Sequence, residues 1–232
     1  MALNDAYDKM YQDKSEFHKD EIHLGSYPKN RYEAAISVLG TGDKLLDIGC
    51  GNGYLLYQYR NRYRQLLGLE YSPERLKHAE NNLENLNFIG YAGSAEKMSM
   101  IDDESIDRII GVDVIEHIPD VYGSVCEMSR VLKPGGDLII TTPNVASLRR
   151  RLQLLFGRFP STSQSNEGVT DEPMIDGGHL HYFTYRSLRL VLNRGGFSVS
   201  TSAGYGRLGR LQNIIPTLTS GGILMVAKKH LV

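Results

Sequence analysis

The stretch LLDIGCGNGYLL, residues 45–56, places three glycines and a cysteine between two apolar runs. The apolar residues before the glycines predict a short buried strand, and those from Tyr54 onward predict a helix. Gly49, Gly51 and Gly53 permit positive φ and carry no Cβ, so a ligand can lie against bare backbone at a helix N-terminus. We therefore interpret the stretch as a ligand-binding loop rather than as a turn that only reverses the chain.

Strands and helices continue to alternate on both sides of this loop. Tyr32 to Leu39 show helical spacing, and Ser72 followed by Pro73 marks the start of a further helix. Six more strands are predicted at QLLGLE, NFIGYAG, IDRIIGVDV, GDLIITTP, FSVSTSAG and GILMVAKK, the last two without an obvious helix between them. Such alternation requires crossover connections. The predicted fold is α/β and doubly wound, with a mostly parallel, Rossmann-like seven-stranded sheet and helices on both faces.

Composition excludes several classes of function. Among 232 residues, 26 Lys and Arg balance 27 Asp and Glu, for a net charge of −1, so we expect neither a nucleic acid nor a membrane surface as principal partner. Cys50 and Cys126 are too few for a disulfide framework, and we expect both to be buried packing residues. No apolar run is long enough to span a bilayer or to form a leader peptide, which predicts a cytoplasmic protein.

The position and spacing of the loop indicate the kind of ligand. In doubly wound sheets, ligands bind at the carboxyl ends of the strands, where this loop is predicted to lie. Its G-x-G-x-G spacing departs from the G-x-G-x-x-G pattern of dinucleotide-binding proteins. Glu70, about 20 residues further along and at the end of the next strand, offers a carboxylate to ribose hydroxyls. These features predict a nucleoside-containing cofactor and do not require a pyrophosphate.

Four ordered motifs between residues 36 and 144, LDIGCGNG, GLEYSPERL, DVIEHIPD and VLKPGGDLIITTPN, resemble those of the class I S-adenosylmethionine-dependent methyltransferases. The resemblance implies S-adenosylmethionine as cofactor and S-adenosylhomocysteine as product. It implies that the glycine loop holds the methionine part, Glu70 the ribose and Tyr71 the adenine. In all, the residues it assigns to the cofactor are Asp47, Gly49, Cys50, Gly51, Gly53, Glu70, Tyr71, Ser94, Ala95 and Asp113.

A narrower resemblance covers the second half of the chain. TTPNVASLRRRLQLLFGRFP and HLHYFTYRSLRLVLNRGGF are similar to the branch that contains the methionine-biosynthesis protein MetW and many methyltransferases of polysaccharide and glycolipid assembly. We expect an N-terminal helical cap at residues 1–30, a cofactor-binding core at 31–144, a lid and acceptor insertion at 145–184, and the remainder of the core at 185–232. A polar stretch of this length inside a domain is usually functional or disordered.

Histidines are the predicted catalytic residues, because transfer to a hydroxyl requires a base with a pKa near neutral. His117 follows the fourth strand, and His179 follows the polar stretch PSTSQSNEGVTDEPMIDGG within the insertion. A metal-assisted alternative uses Asp113, Glu116, His117 and His179, whose arrangement resembles the E-x-x-E-H motif of ubiquinone-pathway and small-RNA methyltransferases.

The acceptor is expected to be a small molecule or a sugar or lipid-linked intermediate. Arg149 and Arg158, with His181, are candidate acceptor-binding residues, since arginines bind anionic groups. The arginine-rich helix is expected to pack its apolar face. The alternative to catalysis is a MetW-like regulatory protein that binds another enzyme, and a homodimer is a further possible assembly.

Overall fold

The computed structural model describes residues 17–163 and 175–230. The strands are β1 (Gly42–Ile48), β2 (Tyr63–Glu70), β3 (Phe88–Ala92), β4 (Ile106–Val112), β5 (Leu132–Pro143), β6 (Phe197–Tyr205) and β7 (Gly222–Lys229). The helices are α1 (Arg31–Val38), α2 (Tyr54–Gln58), α3 (Pro73–Asn82), α4 (Val121–Val131), α5 (Leu148–Leu155), α6 (Tyr185–Arg194) and α7 (Pro216–Thr219). Short 3₁₀ segments lie at Ile115–His117, Ile175–Gly178 and Gly209–Asn213.

The seven strands form one sheet in the order β3-β2-β1-β4-β5-β7-β6. Strands β1 to β5 pair in parallel, and β7 runs antiparallel to both β5 and β6. This topology confirms the predicted α/β, mostly parallel fold. Between β6 and β7, where no helix was evident in the sequence, the chain forms a 3₁₀ segment and the four-residue α7.

Alternating residues of the central strands bury the two faces of the sheet separately. Leu46, Ile109 and Ile140 belong to one core, whereas the neighbouring Leu45 and Ile110 belong to the other. Successive side chains of a strand point to opposite faces, so an unbroken apolar run is what a strand covered on both sides requires. The helices that cover each face supply the remaining core side chains.

Local hydrogen bonds set the helix starts that the sequence predicted. The Ser72 side chain accepts the amide of Arg75 at the start of α3, and Pro73 occupies the first turn. Thr184 and Ser187 form a reciprocal capping box at α6. These caps satisfy backbone donors that have no partner within the helix.

Two expectations about packing were wrong. Cys126 is exposed on α4 rather than buried, because it lies one position past the buried Val125 and faces solvent. Helix α5 has no buried residue, and Leu155 and Phe156 are 75% and 77% exposed. Its apolar face is therefore not packed against the described part of the chain.

Residues 17–30 form neither helix nor strand. They contact α2 through the Phe17 ring, which lies edge-on to Tyr57 at 5.4 Å, and through the Ile22 amide, which donates to Gln58. The predicted helical cap otherwise concerns residues 1–16, which lie outside the described residues, as do residues 164–174 of the predicted lid. None of the described helices combines the length and apolar character needed to cross a membrane.

Candidate active site

A cavity of about 770 Å³ lies at the carboxyl ends of β1, β2 and β4. This volume falls in the upper part of the range for small-molecule sites, which is about 300–1,000 Å³. The loop after β1 and the end of β2 form one side of the cavity, and the residues after β4 form the other. Residues predicted for the cofactor and for catalysis line the same space: Asp47, Gly49, Cys50, Gly51, Glu70, Tyr71, Ser94, Ala95, Asp113, His117 and His179.

The glycine loop has the backbone conformation that its sequence predicts. Gly49, Gly51 and Gly53 have φ values of 73°, 57° and 80°. A Cβ on Gly49 would lie 2.8 Å from the Val114 side chain, and one on Gly53 would lie 2.8 Å from Leu83. Glycine is therefore required at these two positions because a side chain would collide with Val114 or Leu83. The positive φ values set the path of the loop backbone along the cavity.

Glu70 is held rigidly at the end of β2. Its carboxylate accepts the backbone amides of Gly51 at 2.8 Å and Ser72 at 3.1 Å, and the Arg75 guanidinium lies 3.7 Å away. Only 4% of the residue is exposed. A carboxylate oriented by two amides keeps further lone pairs for hydroxyl donors, so the geometry fits the predicted recognition of ribose. Tyr71, next in the chain, is 39% exposed and lines the cavity.

Two other groups of the loop are buried. Burial and the neighbouring Glu70 carboxylate raise the pKa of Asp47. Burial likewise raises the pKa of the Cys50 thiol, which keeps it in its neutral form and unsuited to nucleophilic attack. Both side chains line the cavity, and Cys50 acts as a small packing residue, as expected.

The segment after β3 lines the adjoining part of the cavity. Ser94 donates to the Glu96 carboxylate at 3.0 Å, and the other carboxylate oxygen of Glu96 accepts the Asp120 amide. Ala95 lies between them and also lines the cavity. Ser94 and Ala95 thus line the cavity together with an acidic residue, Glu96.

Asp113 lies in a strained turn directly after β4, with a φ of 50°. One of its carboxylate oxygens accepts the hydroxyls of Thr141 at 2.8 Å and Tyr205 at 3.0 Å. The other lies 3.3 Å from the Arg31 guanidinium. These contacts connect α1, β5 and β6 at the base of the cavity.

Glu116, His117 and His179 form a cluster whose nitrogen and oxygen atoms lie within 4.8 Å of one another. The two imidazole rings are 4.6 Å apart. Burial lowers the pKa of His117 to about 4, helped by the nearby His179, and burial also lowers the pKa of His179. Both histidines are therefore neutral at pH 7, and each ring keeps one nitrogen lone pair.

Glu116 is fully enclosed. One of its carboxylate oxygens accepts the Thr142 hydroxyl at 2.9 Å, and the other has no hydrogen-bond partner among the described residues. Burial and the Asp113 carboxylate raise the pKa of Glu116. Asp113 itself is not part of the cluster, because the hydroxyls and the guanidinium described above engage its oxygens. The predicted four-residue metal set is thus reduced to three residues.

The candidate acceptor residues lie elsewhere. Arg149 and Arg158 line a second cavity of about 1,350 Å³, which shares Ser163 with the first. His181 lies outside both cavity linings, and its Nε2 atom is 3.2 Å from the Pro119 carbonyl. Arg150 also lines the second cavity, and its guanidinium donates to the carbonyls of Asn144 and Gly221, which gives it a structural role.

Residues 46–140 match the model of a family described as "Methyltransferase domain". Over this segment the chain is similar to a methyltransferase domain. The similarity, together with the fold, implies S-adenosylmethionine as the cofactor.

The chain is also similar to curated and solved proteins. A ubiquinone biosynthesis O-methyltransferase from Xanthomonas oryzae is 31% identical over 105 residues, covering 44% of each chain. A Mycolicibacterium smegmatis protein named "Probable S-adenosylmethionine-dependent methyltransferase" is 33% identical over 103 residues, or 44% of this chain and 39% of that protein. The chain thus matches less than half the length of these relatives. A solved SAM-dependent methyltransferase from Methanosarcina mazei has a TM-score of 0.62 at 25% identity and covers 85% of this chain and 97% of its own.

Several residues that line the first cavity were not predicted from the sequence. Arg31 and Tyr32 line it from α1, and Thr162 and Ser163 line it from the insertion. Asp176, beneath the second pair, was also missed. A lone arginine in a helix and a serine-rich loop carry no spacing signal, so only the tertiary structure shows their location. The isolated aspartate before two glycines, in IDGG, was the one available hint of a special backbone position.

Proposed function

We propose that the protein transfers a methyl group from S-adenosylmethionine to a hydroxyl oxygen of a small molecule or of a sugar or lipid-linked intermediate. The observation that carries this proposal is the single cavity that joins the glycine loop and Glu70 to two neutral histidines. The cofactor, when bound, supplies a methyl group already activated on a sulfonium, so the protein's task is alignment, exclusion of water and removal of a proton.

The described residues divide this work between them. Glu70, fixed by two amides, receives the ribose hydroxyls, and the positive-φ loop supports the methionine part. His179 is the proposed base for the acceptor hydroxyl, with His117 packed against it. Because both imidazoles are neutral at pH 7, no charge has to be removed before the proton is accepted.

The second cavity supports an elongated acceptor with an anionic group. It adjoins the first at Ser163, and the guanidinium groups of Arg149 and Arg158 line it. An acceptor that fills both cavities would place its hydroxyl near His179 and its negative charge near the arginines. Replacement of Arg149 by Ala is then expected to raise the KM for an anionic acceptor and to leave the affinity for the cofactor unchanged.

Calorimetric titration with S-adenosylmethionine and S-adenosylhomocysteine tests the cofactor assignment. Wild type is expected to bind both ligands, and Glu70→Ala should weaken binding about 10- to 100-fold, equivalent to roughly 1–3 kcal/mol for a buried polar partner left unmet. Glu74→Ala is the matched control, because Glu74 lies exposed on α3 in a surface pair with Lys77. A folded wild-type protein that binds neither ligand would contradict the proposal and favour the MetW-like regulatory alternative.

A second candidate function is metal-assisted methyl transfer. It is favoured by the cluster of Glu116, His117 and His179 and by the enclosed Glu116 oxygen that has no partner among the described residues. One carboxylate and two imidazoles are a common ligand set for Zn²⁺ and for Fe²⁺. Such a metal would orient the acceptor oxygen and lower its pKa.

Metal analysis of the purified protein, with and without chelator treatment, separates the two candidates. Binding of Zn²⁺ or Mn²⁺ that Glu116→Gln abolishes, together with activity lost on chelation and restored by metal, would establish the second candidate. Activity that persists in a chelator-treated, metal-free sample would contradict the metal-assisted candidate and support the mechanism with a histidine base. Glu74→Gln is the matched control, since the exposed Glu74 carboxylate lies outside the cluster and its replacement should not change metal affinity.

A further inference from the structure

Asp176 collects hydrogen bonds from both sides of the insertion. Its carboxylate accepts the Ser161, Thr162 and Ser163 hydroxyls at 2.5, 3.0 and 2.7 Å. It also accepts the backbone amides of Thr162 and Ser163, each at 3.1 Å, and the Tyr182 hydroxyl at 3.1 Å. All these partners donate, and a carboxylate that only accepts is in its ionised form.

The backbone at Asp176 supports a specific role for this contact. The residue adopts a left-handed conformation with φ of 47° and ψ of 41°, although it is not glycine. It is also only 1% exposed. Although burial alone would raise the pKa of Asp176, the hydrogen bonds from Ser161 and Ser163 lower it well below its usual range. A strained, buried and ionised aspartate costs folding free energy, and it persists only where the surrounding structure stabilises it.

Thr162 connects this carboxylate to His179. The Thr162 hydroxyl oxygen lies 3.0 Å from an Asp176 oxygen and 2.6 Å from Nδ1 of His179. A hydroxyl has one proton to donate, and a carboxylate is the stronger acceptor. The hydroxyl therefore donates to Asp176 and accepts from His179, so that Nδ1 must carry a proton. The Asp176 carboxylate, 3.7 Å from the same Nδ1, favours a proton there as well.

We propose that Thr162 and Asp176 are positioning residues that hold His179 as the Nδ1–H tautomer and leave the lone pair on Nε2 for the acceptor. This inference rests on the proposed function, since it specifies which nitrogen of the base accepts the proton. His179 lines the cavity, and its Nδ1 edge is occupied by Thr162, so Nε2 is the nitrogen available to a ligand. A neutral histidine that donates from Nδ1 to a fixed acceptor has a fixed ring orientation and keeps the lone pair of Nε2 free to accept a proton.

The neighbouring histidine follows the same rule. Nδ1 of His117 lies 3.0 Å from the Gly178 carbonyl, which can only accept, so this nitrogen also carries a proton. Gly178 is the last residue of the 3₁₀ segment that contains Asp176. The short segment from Asp176 to His179 therefore sets the tautomer of both rings, one through a hydroxyl and one through the backbone.

Nuclear magnetic resonance of ¹⁵N-histidine-labelled protein near pH 7.5 tests the proposal without any acceptor. The wild-type His179 signals, assigned with His179→Gln, should show a protonated Nδ1 and an unprotonated Nε2. Thr162→Ser retains the hydroxyl and should keep this pattern. Thr162→Val has a similar shape without the hydroxyl and should release His179 to the Nε2–H tautomer or to a mixture.

Wild type decides the question even if the Thr162 variant does not fold, because a His179 that carries its proton on Nε2 overturns the proposal. A folded Thr162→Val protein that keeps the Nδ1–H tautomer overturns the role of Thr162. Once an acceptor is known, Thr162→Val should lower kcat at least tenfold with little change in the KM for the cofactor, and Thr162→Ser should restore it. The titration of Glu70→Ala with the cofactor is a separate experiment. A failure of the proposed function can therefore be distinguished from a failure of this inference.

Discussion

The strands and loops between Gly42 and Pro143 and the segment between Asn144 and Phe183 build the same cavity by opposite means. The first region uses backbone: apolar strands fix the sheet, and a loop with three positive-φ glycines follows β1 at the edge of the cavity. The second uses side chains: Asp176 gathers polar donors from residues 161–163, and α5 buries nothing. A region that depends on packing and a region that depends on a polar network should respond differently to mutation and to pH.

Adding one methyl group to the loop should have the largest effect. Gly49→Ala puts a Cβ 2.8 Å from Val114 in a left-handed conformation, which should cost about 3 kcal/mol of the free energy of unfolding. Gly157→Ala is the matched control in the second region, because it also has positive φ but no atom within 4 Å of its Cβ. It should cost about 1 kcal/mol. If urea denaturation gave equal losses in the free energy of unfolding for the two variants, the contrast between a packed and an unpacked loop would be wrong.

Acid should weaken the polar network before it weakens the sheet. Because the pKa of Asp176 is lower in the folded state, this aspartate stabilises the fold fully above its unfolded pKa of about 4, and the contribution is lost as the pH falls further. We expect a loss of about 2 kcal/mol between pH 4 and pH 2 that is attributable to this group. Urea titrations of wild type and Asp176→Asn measure it. An identical pH dependence in both proteins would show that Asp176 contributes nothing.

The smallest effect is expected on the exposed face of α5. Phe156→Ser should change stability by no more than about 0.5 kcal/mol, since the side chain is 77% exposed. Leu192→Ser on α6 is the positive control, with a fully buried side chain and an expected loss above about 3 kcal/mol. Thermal unfolding of the two variants compares them. A loss above about 1 kcal/mol for Phe156→Ser would mean that this face is packed after all.

The same contrast determines what the sequence could predict. Periodicity and the order of strands and helices were sufficient for the sheet, because a strand such as β1 is apolar wherever it is covered on both faces. Ser72 and Pro73 identified a helix start, since capping is local chemistry. Helix α5 has the amphipathic spacing of a packed helix yet remains exposed, because periodicity shows that a face exists and not what covers it.

The site was predictable to a similar degree. Glu70 and the loop glycines follow from a local motif, and the comparisons support the methyltransferase domain that contains them. The approach of Arg31 to Asp113, 82 positions away in the chain, depends on the folded sheet. Thr162 and Asp176 are polar residues in an aperiodic stretch, so their convergence on His179 had no signature in the order of the residues.

The two ends of the insertion meet at a single bridge. Asn144 pairs with Phe183, and the Val145 amide donates to the Phe183 carbonyl at 3.1 Å. The Asn144 side chain also ties this junction to the carbonyls of Pro216, Thr217 and Ser220. The chain leaves the sheet and returns to it at this junction, and doubling the length of a loop closed in this way costs only about 0.6 kcal/mol. A segment of another length could therefore be joined to the sheet at this junction. Such a replacement would change the residues that line the cavity and would preserve the register of the sheet.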